Sequence, residues 1–200
     1  ETCREYWTGH HVLEPNAAVE AAMPTHFSRS VLLTDDEYVA RHDLAGTFSE
    51  PQLFQQAVAS RNATSVEATE LFGFFEAAAE LVAATDRPEL VWLHSRGMSG
   101  AWDAPLELRN HFADEDDPEP PAFVKPPERL FEASFDPDEV LGLVQAYAGQ
   151  VALVDLCLGM FLDALDSHPR ADETLLIVTS PRGYPLGEHR RVGTCDQALF

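Results

Sequence analysis

The chain has 200 residues, 45% of them hydrophobic, and a formal net charge of −21 from 34 acidic against 13 basic side chains. That supports one domain with a real core and excludes the collagen-like, disulfide-framework and disordered classes. An acidic surface repels nucleic-acid phosphates and anionic headgroups, so no nucleic-acid partner is expected, and no apolar run reads as a membrane span.

The elements follow in chain order. Residues 1–28 match no pattern, and without an initiating Met the chain reads as an excerpt of a longer protein. Arg29–Thr34 is short, apolar and β-rich, a buried strand ending at Asp35-Asp36. Glu50-Pro51 opens a helical stretch whose apolar face is Leu53, Phe54, Ala57 and Val58. Residues 64–84 form a helix with Thr64 and Glu67 as a capping box. Asn62-Ala63-Thr64 is a sequon. Glu89–Ser95 is a second buried strand, followed by the loop Arg96–Gly100 and a short helix started by Pro105.

Residues 113–128 are acidic and Pro-rich, which disfavours a packed helix and reads as a surface excursion inside one domain covering residues 1–200. Asp136, Pro137 and Glu139 start a long helix over residues 137–166. Its apolar stripe is Val140, Val144, Tyr147, Val151, Val154, Leu158, Phe161 and Leu165, and Cys157, in the same apolar run, is expected as a small core residue. Glu173–Ser180 is an apolar run expected as a central parallel strand. Strand, helices, strand, helices, strand predicts an α/β fold with a largely parallel sheet flanked by helices. Ligands then belong beyond the carboxyl ends of the strands: Asp35-Asp36, His94–Gly100 and Ser180–His189.

The last of these segments carries a family pattern. The helix of residues 140–166 is followed by Thr174-Leu-Leu-Ile-Val-Thr-Ser-Pro-Arg-Gly-Tyr-Pro-Leu-Gly-Glu-His189. This resembles the sulfatase family of the alkaline-phosphatase-like superfamily, where the strand ends Ser-Asp-His-Gly or Ser-Asp-Asn-Gly before Leu-Gly-Glu-His. Trp102-Asp103-Ala104-Pro105 is similar to a Pro-rich loop of the same family, and the likeness runs over residues 29–200. It implies sulfuric ester hydrolysis by a formylglycine made from Cys or Ser in Cys/Ser-x-Pro/Ala-x-Arg. In active members a divalent cation, usually calcium, polarises the sulfate.

Set against that equipment, the matched positions are substituted. None of Cys3, Cys157 and Cys195 heads the nucleophile motif. The two metal ligands of the last loop fall at Pro181 and Arg182, the sulfate-contacting His at Ser99, and a Lys near Thr194. Thr34-Asp35-Asp36 stands where the family has Gly-Lys-x-His. No catalytic residue, metal ligand or cofactor is therefore assigned to this chain. His94, Arg96, Arg182 and His189 remain as anion-binding candidates for a sulfate or phosphate ester, because guanidinium and imidazole N–H groups suit a planar or tetrahedral oxyanion. His10-His11 and His42-Asp43 lack a third ligand by spacing. Two functions stay open: a sulfatase-like hydrolase, and an inactive pseudo-sulfatase acting as an anion-binding or protein-interaction module. The sequence assigns neither a compartment nor an oligomeric state.

Overall fold

A computed structural model describes residues 27–86, 89–180 and 183–193. The chain divides into two compact units. The described residues of the first are 27–56, 74–86, 89–96 and 161–176; those of the second are 57–73, 97–160, 177–180 and 183–193.

The first unit is built on a three-stranded parallel sheet in the order β2-β1-β3, with β1 Ser30–Thr34, β2 Glu50–Leu53 and β3 Leu90–His94. Every residue of β1 is buried, as a central strand with neighbours on both edges requires. A short helix, α1 (Glu37–Arg41), follows β1. The expected helical opening at Glu50-Pro51 is instead β2. Its register pairs Val31 with Glu50 and Thr34 with Leu53, and Pro51 is tolerated because β2 is an edge strand. Arg29 fixes that register from outside the ladder. Its Nε and Nη2 both donate to Glu50 at 2.7 Å, and Nη1 donates to Glu89 at 2.6 Å, so one guanidinium ties the entries of all three strands. Over the sheet residues lie edge-to-face ring pairs, Phe54 with Phe74 at 5.9 Å and Phe74 with Phe75 at 5.7 Å, and Phe75 meets Phe161 at 6.1 Å.

Helix α2 runs from Glu70 to Ala83. The Thr64 capping box is displaced: residues 66–68 make a 3-10 turn, and Thr69 caps α2 by accepting from the Phe72 N–H at 3.2 Å. A distant residue decides the start, since Asp103 Oδ2 accepts from the Glu70 N–H at 2.8 Å. Local spacing carries no trace of that long-range cap.

The second unit contains α3 (Leu106–Asn110), β4 (Arg129–Leu130), most of α4 (Pro137–Asp166) and β5 (Arg191–Val192), with β4 and β5 antiparallel. The bounds of α4 agree with the sequence reading, as do the buried Cys157, Phe161 and Leu165, but the rest of its buried face does not. Val144 and Val151 are exposed, while Leu143, Ala146, Leu153 and Cys157 are buried together with Gln145 and Gln150. Glycine sets this face. A Cβ on Gly142 would stand 3.1 Å from Pro121, and one on Gly149 would stand 2.7 Å from Arg109, so the bare backbone is where neighbours come closest. A count of bulky apolar residues overlooks such a surface. Phe131, Leu143 and Val192 form a cluster with Phe123, Phe135, Val140 and Tyr184 around it.

Helix α4 is long and apolar enough to cross a membrane by length and composition, with a window of mean hydropathy 1.6. Its polar groups point to a core helix. Gln145 donates to Asp117 at 2.9 Å, Gln150 is hydrogen-bonded to Ala101 and Ala104, and Asp155 and Asp163 are exposed charges along its length.

The expected strand over Glu173–Ser180 is not formed. Residues 171–173 make a 3-10 turn, and 174–180 pair with no strand among the described residues. Leu175, Ile177 and Val178 are 84%, 75% and 65% exposed. Apolar, β-branched composition favours a strand only where a ladder and a facing layer are supplied. Within the acidic stretch, residues 114–116 are exposed, whereas Pro120 and Val124 are buried.

Candidate functional site

In the first unit, β1 and β3 run parallel, so their carboxyl ends bring Thr34, Asp35, His94, Ser95 and Arg96 together. The Thr34 hydroxyl is buried. It accepts from the Asp36 N–H at 3.1 Å and is 2.9 Å from His94 Nδ1. That contact fixes the imidazole ring against the end of β1 through its Nδ1 edge. Asp35 is the hub of the loop. Oδ1 accepts from the Arg96 N–H at 2.7 Å, Oδ2 accepts from the Ser95 hydroxyl at 3.2 Å, and the Arg96 Nε lies 3.8 Å from Oδ2. Burial pushes the Asp35 carboxyl above its ordinary range, against the opposing pull of the Arg96 N–H and guanidinium. Asp36 is committed elsewhere: its Oδ1 accepts from the Tyr38 N–H at 2.8 Å and caps α1. His42 similarly caps a turn, with Nδ1 accepting from the Leu44 N–H.

In the second unit, residues 97–99 form a 3-10 turn that contains Ser99. Trp102 is wholly buried, and its Nε1 donates to the Met98 carbonyl at 2.9 Å. Arg109, also wholly buried, donates to the carbonyls of Trp102 at 2.6 Å and Phe123 at 2.9 Å, and to that of Pro121. Tyr184 stacks against Tyr147 at 5.8 Å and donates its hydroxyl to the Pro127 carbonyl at 2.5 Å; burial raises its pKa to about 12. His189 sits on a 3-10 turn at residues 188–190, exposed, with φ 51°. A groove of about 590 Å³ is lined by Pro121, Phe123, Lys125, Arg129 and Glu139 among others, and His94, Arg96 and His189 are not among its lining residues.

Of those four, His94 and Arg96 come together at the end of β3, and His189 belongs to the second unit. Arg182 lies outside the described residues, as do Pro181, Thr194, Cys3, Cys195 and the His10-His11 pair.

The sulfatase family profile matches residues 34–198. The chain belongs to the sulfatase family. It is 36% identical over 61 residues to the multifunctional alkaline phosphatase superfamily protein PehA of Trinickia caryophylli, a stretch covering 30% of this chain and 12% of that protein. It is 46% identical over 46 residues to a sulfatase of Formosa agariphila, covering 23% of this chain and 9% of that protein. The chain thus spans a small part of the length of the curated relatives it matches. No solved structure matches it significantly.

Family membership raises the question of calcium, and the Asp35-Asp36 pair does not suit that ion. Both Asp35 oxygens are taken by N–H and O–H donors, a guanidinium lies 3.8 Å away, and Asp36 is turned into a helix cap. Sequence reasoning placed Thr34 and the His94–Gly100 loop that holds Ser95 at the site, but missed that these two hydroxyls contact His94 and Asp35. Their signal is positional, since each lies at or just beyond the carboxyl end of a strand expected to be buried.

Proposed function

We propose that this chain is the anion-recognising part of a sulfuric ester hydrolase domain. In this reading His94 and Arg96 bind a sulfate ester or a related phosphate ester, Arg182 and His189 are anion-binding candidates separate from that pair, and the nucleophile and metal ligands are supplied from outside this chain. The observation that carries it is the end of β3. There, the Thr34 hydroxyl lies 2.9 Å from His94 Nδ1 and orients the ring, and Asp35 anchors the Arg96 N–H at 2.7 Å while the Arg96 side chain is 36% exposed. A second reading, an inactive pseudo-sulfatase, is favoured by the engagement of Asp35 with Arg96 where a cation site would need free carboxylate oxygens.

A thermal-shift titration tests the first reading. Sulfate should raise the melting temperature with EDTA present, and Arg96→Gln should abolish the rise. Loss of the shift on chelation, or its persistence in Arg96→Gln, would sink it. An aryl-sulfate assay at saturating calcium separates the two readings when applied to the intact protein that contains this chain. Turnover removed by Arg182→Ala supports the hydrolase, and no turnover with sulfate binding intact supports the inactive form.

A further inference from the structure

The turn joining Leu186 to Arg191 places two adjacent residues in the left-handed region: His189 at φ 51° and ψ 30°, and Arg190 at φ 62°. That region is costly for residues bearing a Cβ, and two in succession are held only where the surroundings over-determine them. Here the backbone does so. The Gly187 N–H donates to the Arg191 carbonyl at 2.8 Å, the Arg190 N–H to the Gly187 carbonyl at 2.8 Å, and the Phe131 N–H to the Arg190 carbonyl at 2.7 Å. Glu188 turns back to accept from the Leu186 N–H at 2.6 Å, so the one acid of the turn is occupied within it. His189 and Arg190 are left exposed, and no carboxylate of the described residues pairs with either side chain. Acids outnumber Lys and Arg by 34 to 13 in this chain, so an exposed Arg-His pair with no carboxylate on it among the described residues stands apart from the prevailing surface.

We propose that this tip is an oxyanion-recognition element, in which the Arg190 guanidinium and the His189 imidazole hold a sulfate or carboxylate group of a substrate that carries more than one. The inference rests on the sulfatase-family reading for the substrate class and adds a residue to it. A guanidinium offers paired, planar donors to such a group, and the neighbouring imidazole adds a third direction of approach.

The test is isothermal titration of the chain with sucrose octasulfate, and separately with inorganic sulfate, at fixed salt. Arg190→Gln should weaken octasulfate binding by about ten-fold or more, and Arg190→Lys should recover part of it. Arg190→Gly removes the donor and the left-handed strain together, so it should lose the same affinity while melting about 2–4 °C higher. If the glycine variant gains stability with affinity intact, the Arg190 guanidinium has no part in binding and the proposal fails. It fails as well if the parent chain does not bind octasulfate. The inorganic sulfate arm reads the β3 site. Arg96→Gln abolishing that response while Arg190 variants keep octasulfate affinity would overturn the tip and leave the functional reading standing. The reverse pattern would do the opposite.

Discussion

Arg109 is the buried charge on which the second unit turns, and replacing it by Met is the most informative perturbation of the fold. Burial lowers the guanidinium pKa to about 10, with Asp103 pulling the other way, so it is charged at neutral pH and carries a desolvation cost. Against this stand its bonds to three carbonyls, those of Trp102, Phe123 and Pro121, each worth about 1.5–3 kcal/mol when charge-assisted. The guanidinium also lies 5.3 Å from the Phe123 ring centre. Methionine keeps most of the volume and removes the desolvation cost, but leaves three carbonyls unpaired. The net loss should be about 2–4 kcal/mol, read as a lower urea midpoint with an unchanged slope. Hydrogen exchange should quicken at the Trp102 N–H, which donates to the Val124 carbonyl at 2.7 Å in the segment Arg109 holds. Stability within about 0.5 kcal/mol of the parent would refute the reasoning, because it would place Arg109 among buried charges that an apolar residue replaces at no cost.

Three further outcomes follow from other features. Burial raises the Asp103 carboxyl above its ordinary 3.8, so the folded state holds that proton more tightly than the unfolded one. Stability from this group is then full below the ordinary pKa and falls as pH rises through the raised value. Asp103→Asn, whose Oδ1 can still accept from the Glu70 N–H, should gain on the parent from pH 4 towards neutrality, and a pH-independent difference in melting temperature would contradict this. Gly149→Ala improves helix propensity by about 1 kcal/mol, yet its Cβ would stand 2.9 Å from the Arg109 backbone nitrogen. Backbone cannot yield as a side-chain end can, so chemical denaturation should show a net loss, and a gain would mean that α3 shifts freely. Finally, a charge of −21 makes folding self-repulsive, and moving from about 0.1 to 1 M KCl shortens the screening length from about 10 to 3 Å. The melting temperature should rise by several degrees, and a flat or falling curve would show that ion pairs outweigh repulsion.

How much of this was legible depended on whether a residue's role was local. β1, β3 and α4 were readable because runs of Val, Leu and Trp, or a Pro-started apolar helix, carry their own periodicity. β2 was misread because Glu50-Pro51 looks like a helix start, and what makes it a strand is Arg29 and the exposed edge of β1, 20 residues away in sequence. The helix cap at Thr69 and the buried face of α4 failed for the same reason, being fixed by Asp103 and by the approach of Arg109 and Pro121 to bare glycine. Residues 174–180 failed in the opposite sense. Their composition is that of a strand, but composition does not provide a partner.

The candidate site divides along the same line. Topology reasoning located the ends of β1 and β3, because parallel strands bring sequence-distant carboxyl ends together whatever the side chains are. The chemistry there was partly hidden. Asp35 and Arg96 read as a reversed charge and a leftover cation when each is matched to a family position. Together they form one unit, with the carboxylate binding the Arg96 N–H and lying 3.8 Å from the guanidinium. Substituting either alone should therefore change two functions at once, since Asp35→Asn would loosen the loop and remove the negative charge beside the Arg96 guanidinium. Tighter sulfate binding with lower thermal stability is the signature of that coupling, and it would separate a loop held for recognition from one held only for folding.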